Sequence, residues 1–235
     1  MTKRNIIISL LAVFTCLYVS AGKTQRVVSP DGNIVLSFET TKEGKIFYSV
    51  TRKGETILSP SRLGLQLKDA PDMAAGFSVA DVRRDSFTET WKPVWGEESL
   101  IDNTYNEMTV TLVQKKMAPG RKLAIVFRVF DDGIGFRYEF PRQKQLGDFV
   151  IMDELTEFAF TANHTSWSLP VEGIRFYEGL FRELPIDRIG WASTPVTLRT
   201  DKGLHLALHE ANLTDFAAMN VQSSPGSNTL RAALT

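Results

Sequence analysis

Turn residues recur roughly every ten positions along much of this chain, and the runs between them alternate apolar with polar side chains. Residues 29–32, 42–44 and 52–54 are such turns, each beside an alternating run. A period of two is typical of strands, and turns at this spacing connect antiparallel neighbours. The pattern predicts an all-β chain, folded as a large antiparallel β-sandwich.

The clearest hairpin is predicted over residues 123–140. Its first strand has Leu123, Ile125, Phe127 and Val129 at alternate positions, which would form one buried face. Residues 131–133 contain Asp and Gly, which tolerate the positive φ of a tight turn. Residues 108–113 are expected to pair with the first strand.

Other segments are less clearly patterned. Residues 154–162 could form a helical turn or a strand, and residues 71–98 are polar enough for a long loop with one strand. Residues 203–210 alternate as a strand. No composition shift divides the chain, so we expect residues 22–235 to form one domain, a size that β folds commonly reach.

Residues 1–21 have the features of a secretory signal peptide. Lys3 and Arg4 precede an apolar run over residues 6–19, and Ala21 offers a cleavage point. The alternative is an uncleaved membrane anchor, although the run is shorter than the roughly 20 residues that span a bilayer. We therefore expect export to a bacterial periplasm or cell surface.

Cysteine and charge exclude several function classes. Cys16 is the only cysteine and lies in the predicted leader, where a lipoprotein would acylate it. The mature chain would therefore have no disulfide, thiolate nucleophile or cysteine-bound zinc. Without Lys3 and Arg4 the chain has 25 basic and 27 acidic residues, so a strongly basic nucleic-acid binder is excluded.

Glu210 is a candidate functional residue because of its position in the sequence pattern. In a strand it would share a face with Leu204, Leu206 and Leu208, and a carboxylate there is costly to bury unless it is paired or binds a cation. Calcium could be that cation. The alternative is that Glu210 marks the exit of the strand into solvent.

The other histidines, carboxylates and tryptophans that could be functional are expected to have structural roles. His205 and His209 would share a strand face about 13 Å apart, too far for one metal. The adjacent carboxylates Asp131 and Asp132 fall in a turn and are expected to be solvated. The four tryptophans could stack on sugars, but in a sandwich each is expected in the core; they are Trp91, Trp95, Trp167 and Trp191.

Five segments in order resemble the N-terminal domain of family 97 glycoside hydrolases. They are residues 29–34, residues 91–97 followed by 105–107, residues 127–141, residues 194–197 and residues 208–219. The family consists of exported bacterial α-glucosidases and α-galactosidases. The resemblance implies a galactose-mutarotase-like β-super-sandwich that precedes a catalytic (β/α) barrel and a small β domain.

The resemblance also implies a role for one residue. In the family the N-terminal domain supplies a glutamate to an active-site calcium, and the matching His-Glu-Ala segment here places it at Glu210. The catalytic carboxylates belong to the barrel, which these 235 residues do not include, so we expect no catalytic residue and no hydrolysis by this chain alone. Calcium binding by the chain alone is expected to be weak or absent.

The expected partners are an oligosaccharide or α-glycoside substrate and a catalytic barrel in the same polypeptide. No nucleic acid is expected, and no transmembrane span after signal cleavage. Two alternatives belong to other classes: a stand-alone periplasmic carbohydrate-binding module, and a structural domain that docks on a partner without taking part in catalysis.

Overall fold

A computed structural model describes residues 24–115, 118–171 and 178–235. The predicted signal peptide, residues 1–21, lies outside these ranges. Within them the chain forms 17 strands and one 3₁₀ turn, Ile186–Arg188, with no α-helix. The all-β prediction is confirmed.

The strands take their labels in chain order. Their bounds are β1 Gln25–Val28, β2 Ile34–Thr40, β3 Ile46–Arg52, β4 Glu55–Leu63, β5 Leu65–Leu67, β6 Phe77–Trp91, β7 Ile101–Gln114, β8 Lys122–Val129, β9 Ile134–Glu139, β10 Ile151–Glu154, β11 Glu157–Ala159, β12 Thr165–Pro170, β13 Arg182–Pro185, β14 Trp191–Arg199, β15 His205–Leu208, β16 Met219–Gln222 and β17 Thr229–Leu234.

Two four-stranded antiparallel sheets face each other across an aromatic core. One has the order β1-β2-β3-β4 and the other β6-β7-β8-β9. Phe127 of the second sheet lies 5.9 Å from Phe38 and 6.5 Å from Tyr48 of the first, measured between ring centroids. All three side chains are buried because each occupies an inward position of an alternating strand.

A seven-stranded sheet extends this sandwich. Its strands run in the order β11-β17-β16-β14-β12-β13, and β15 pairs with β14. The bridge between Leu58 and Phe160 joins it to the first sheet, and the Tyr48 hydroxyl donates to the Glu157 carbonyl oxygen at 2.9 Å. The three sheets share one continuous hydrophobic core, as expected for a large β-sandwich.

The predicted hairpin over residues 123–140 is confirmed. Lys122–Val129 and Ile134–Glu139 pair in register from Val129–Ile134 to Ala124–Glu139, and the four alternate residues from Leu123 to Val129 are fully buried. β7 pairs with β8 from Asn106 to Val113, which includes residues 108–113 as expected. The ambiguous segment 154–162 is extended: it contains the end of β10 and β11, so the helical alternative is wrong.

Residues 71–98 differ from expectation. They hold β6, at 15 residues a long edge strand, rather than mostly loop. From Arg83 onward β6 is exposed along its length, so its sequence lacks the alternation that one buried face would impose. Its partner β7 holds it in place through the backbone ladder.

A buried arginine links the loop before β6 to the second sheet through hydrogen bonds. Arg121 is 2% exposed, and its guanidinium donates to Gln114 Oε1 at 2.7 Å and to the carbonyl oxygens of Pro71 and Asp72. Gln114 in turn donates to the carbonyls of Asp72 and Ala75, both at 2.9 Å. The carbonyl oxygens of Pro71, Asp72 and Ala75 lie in a loop, and these two side chains supply hydrogen-bond donors to them.

In the part of the chain that the structure describes, no helix has the length and apolar character needed to cross a membrane.

Candidate functional site around Glu210

Glu210 follows β15 by two residues and lies on its inward side. From His205 to Glu210 the residues alternate between exposed and partly buried, with Leu206 and Leu208 packed on the core. Glu210 is partly buried and His209 is exposed. The face predicted for Glu210 is confirmed, because the alternation continues past the last paired residue, Leu208.

A second carboxylate from a distant segment approaches Glu210. Glu154 ends β10, and its Oε1 accepts a hydrogen bond of 2.6 Å from the Thr156 hydroxyl. That hydroxyl lies 2.7 Å from the Tyr138 hydroxyl, which accepts from the Gly64 N–H at 3.0 Å. Since Thr156 donates to Glu154, Tyr138 donates to Thr156, and the chain of bonds fixes the Glu154 carboxylate.

The charged form of Glu154 is disfavoured at this position. Burial raises the pKa of Glu154, the negative charges of Glu210 and Asp153 raise it further, and the Thr156 hydrogen bond opposes them. Burial and the Glu154 charge also raise the pKa of Tyr138, which keeps its phenol protonated as a donor.

The described residues do not by themselves form a metal site. Across residues 24–115, 118–171 and 178–235, no three His, Cys, Asp or Glu side chains lie close enough together to hold one metal ion. Calcium takes six to eight oxygen ligands. Glu210, with Glu154 nearby, falls short of that number, so a calcium ion bound here would need further ligands from outside these residues.

Sequence reasoning singled out Glu210 as a candidate but gave no signal for Glu154, Thr156 and Tyr138, which the structure links to it. Glu154 is preceded by Ile151-Met152-Asp153, which carries no motif. Only pairing of β10 with β5, between Glu154 and Leu65, brings it to this place. No local signal could have identified it.

The tryptophans are less buried than predicted. Trp95 is 89% exposed, Trp91 46% and Trp191 45%, so the expectation of a core position is wrong for these three. Trp167 is partly buried, with the Arg199 guanidinium 5.2 Å from its ring centroid. The adjacent carboxylates Asp131 and Asp132 are exposed in their turn, as predicted.

A polar cleft of about 410 Å³ lies on the β16–β17 hairpin. Its described lining consists of Glu157, Gln222, Ser224, Ser227, Thr229 and Arg231. None of these side chains is aromatic, so the cleft offers no stacking surface to a sugar ring. Arg231 is engaged with Asp153 at 3.2 Å.

The pKa of Glu154 leads to a stability prediction. Because the folded pKa lies above the ordinary value of 4.5, the folded chain binds more protons than the unfolded chain between these two values. The free energy of unfolding should therefore fall as pH rises through that window. Glu154→Gln should remove this fall and raise the Tm at pH 7.

Urea denaturation of both proteins from pH 4 to pH 8 measures the effect. Glu183→Gln, an exposed glutamate of β13, is the matched control and should leave the pH profile unchanged. Identical profiles for the parent and Glu154→Gln would show that Glu154 titrates normally.

This chain is similar to known glycoside hydrolases. The family model described as the N-terminal domain of glycosyl hydrolase 97 matches residues 27–235. A retaining α-galactosidase of Bacteroides thetaiotaomicron is 22% identical over 94% of this chain and 34% of its own length. A probable retaining α-galactosidase of Streptomyces bingchenggensis is 30% identical over 60% of this chain and 21% of its own. The chain thus spans about a third or less of these relatives.

Solved structures have the same fold. A family 97 glycoside hydrolase of Pseudoalteromonas sp., in complex with acarbose, is 33% identical with a TM-score of 0.84, over 90% of this chain and 32% of that one. Another structure of an enzyme from that source holds panose. A β-arabinopyranosidase, 22% identical over 89% of this chain and 35% of its own, has the same fold with a TM-score of 0.80. The chain belongs to glycoside hydrolase family 97, of which it is the N-terminal domain.

Proposed function

We propose that this domain is the N-terminal part of an exported, calcium-dependent enzyme that hydrolyses α-glycosides. We further propose that Glu210 is the ligand that the domain supplies to an active-site calcium ion. The domain would also form one wall of the sugar pocket. Residues 1–21, with their signal-peptide features, support export. The α-galactosidase names of the curated relatives support α-glycosides as the substrate class.

The family match carries the proposal. It identifies residues 27–235 as an N-terminal domain, and the relatives are about three times as long as the matched part. Glu210 lies in the loop between β15 and β16. The catalytic groups and the calcium ligands that these residues do not supply would come from the rest of such an enzyme.

The same loop has an apolar surface suited to a neighbouring domain. Leu213 is 50% exposed and Phe216 44% exposed. Exposed apolar residues next to a partly buried carboxylate fit a domain boundary, where water is excluded from the carboxylate when the neighbour docks. Glu210 would then face ligands from that neighbour.

Each group in the site has a defined part. Glu210 would bind the cation directly, whereas Glu154, held by Thr156 and Tyr138, adds negative charge behind it. A bound calcium would supply positive charge and Lewis acidity at a sugar oxygen. The hydrolysis itself needs two carboxylates around the scissile bond, which we assign to the following domain.

The proposal predicts a mass and an activity. An antibody to residues 24–235 should detect in the source cells a protein about three times the 26.3 kDa of this chain. That protein should hydrolyse 4-nitrophenyl α-galactoside or α-glucoside, and residues 24–235 alone should not.

Two results would count against it. A native band at or below 26.3 kDa would mean that the cell makes the sandwich by itself, which favours a carbohydrate-binding or structural role. Turnover by purified residues 24–235, absent from a mock preparation, would place catalytic groups in this domain.

A further inference from the structure

The polar cleft on the β16–β17 hairpin belongs to a row of side chains that crosses four strands. Directly paired residues of β14, β16, β17 and β11 form this row, and they are, in that order, Trp191, Gln222, Arg231 and Glu157. Residues directly opposite each other in antiparallel strands share one face of the sheet. Their neighbours along the strands, Val221, Leu230 and Ala232, are buried on the other face. The row therefore faces outward and spans about 14 Å at the usual strand spacing.

The cleft has the size and the chemistry of a small-molecule site. Its volume of about 410 Å³ falls within the range of about 300–1,000 Å³ that such sites occupy. Its lining combines an amide, a guanidinium and a carboxylate from the row with the hydroxyls of Ser224, Ser227 and Thr229. These groups together offer both donors and acceptors of hydrogen bonds. The hydroxyls of a sugar, which both donate and accept, require this combination.

The two charged side chains of the cleft are already held in place. Glu157 Oε2 accepts a hydrogen bond from the Arg62 N–H at 3.2 Å, and Arg231 pairs with Asp153 at 3.2 Å. A carboxylate accepts several hydrogen bonds and a guanidinium donates several, so both groups retain capacity for a ligand. Because they are ordered before binding, the entropy cost of forming the complex is lower.

The charges in and around the cleft favour a neutral ligand. The Arg231 guanidinium lies with the carboxylates of Glu157 and Asp153, so an anion would meet more negative than positive charge. In the parts of the chain that the structure describes, no group of three acidic, histidine or cysteine side chains could hold a metal ion. A ligand that carries many hydroxyls and no charge fits both conditions.

A tryptophan at one end of the row makes a saccharide the best match among neutral ligands. The described lining of the cleft has no aromatic ring, but Trp191 stands next to Gln222 on the same face. Trp191 is 45% exposed, so it is anchored on the domain and still open to a ligand. An indole offers a flat apolar surface on which the C–H face of a sugar ring packs.

The cleft and Glu210 lie on opposite sides of β10. Asp153 and Glu154 are consecutive residues of that strand, so their side chains point to opposite faces. Asp153 pairs with Arg231 at the cleft, whereas Glu154 lies near Glu210. A ligand in the cleft would therefore not occupy the position proposed for calcium.

We propose that this row, with its cleft, binds a neutral oligosaccharide, one sugar ring of which occupies the cleft while the next packs on Trp191. The ring in the cleft would be held by hydrogen bonds to Gln222, Arg231 and Glu157. Binding needs neither calcium nor a following domain, so this inference does not rest on the proposed function.

Calorimetric titration of residues 24–235 with maltotriose, raffinose and cellotriose tests this inference. These residues hold one continuous hydrophobic core. We expect at least one of the three sugars to bind. For that sugar, Trp191→Ala and Gln222→Ala should each weaken binding at least about threefold, because each removes one contact with the ligand.

Trp95→Ala is the matched control, since Trp95 is a tryptophan that is 89% exposed between β6 and β7, in another sheet. It should leave the affinity unchanged, as should Glu210→Gln and the addition of calcium. Gln222 is exposed, so Gln222→Ala should keep the parental Tm, which separates a loss of binding from a loss of folding.

Three results would overturn the inference. The first is no detectable binding of any of the three sugars. The second is a loss of affinity in Trp95→Ala with none in Trp191→Ala, which would place the sugar on the β6–β7 hairpin. The third is a loss of affinity in Glu210→Gln, which would place it at the candidate calcium site. None of these results decides whether the source cells make a long α-glycosidase, so the proposed function is tested separately.

Discussion

Arg121→Met is expected to lower the free energy of unfolding of this domain by about 3 kcal/mol, since buried acceptors would lose a charged donor. Arg121 is 2% exposed and donates to Gln114 and to the carbonyls of Pro71 and Asp72. Burial lowers the pKa of Arg121, and the Asp72 charge opposes this shift. Methionine fills similar space but leaves Gln114 Oε1 and the Pro71 carbonyl without their donor.

Urea denaturation of residues 24–235 measures this loss, with Arg137→Met as the matched control. Arg137 pairs with Glu139 at 2.6 Å, but both side chains are about half exposed, so its replacement should cost no more than about 1 kcal/mol. Gln114→Leu combined with Arg121→Met should cost less than the two single costs added together, because both partners would be gone. Equal effects at positions 121 and 137 would refute the anchoring role.

What the sequence could predict was local. The hairpin over residues 123–140 follows from alternation and a turn of Asp and Gly, both contained in one short segment. The inward side of Glu210 follows in the same way from Leu204, Leu206 and Leu208. A family resemblance then added the expectation of a calcium role, which alternation alone left open and which stays a prediction.

What the sequence missed depends on contacts between distant segments. Arg121 follows Pro119-Gly120 and has the pattern of an exposed turn, and only the fold of the loop before β6 buries it. Glu154 reaches Glu210 through pairing of β10 with β5. Trp95 is of a residue type that is usual in the core, but its side chain is 89% exposed.

Glu210→Gln is expected to weaken calcium binding by the full-length enzyme at least about tenfold, because a neutral amide replaces an anionic oxygen ligand. Calorimetric titration with calcium measures this directly, and the calcium-induced rise in Tm should shrink in parallel. Hydrolysis at low calcium should fall and should recover in part when calcium is raised. The Tm of residues 24–235 alone should change little.

His209→Gln is the matched control, since its side chain is exposed beside Glu210 and points to the other face of the strand. Calorimetry on the three full-length enzymes is therefore the most direct test of the account. We expect parental calcium affinity for His209→Gln and a clear loss for Glu210→Gln. Equal calcium affinity in all three enzymes would contradict it, as would tight calcium binding by residues 24–235 alone.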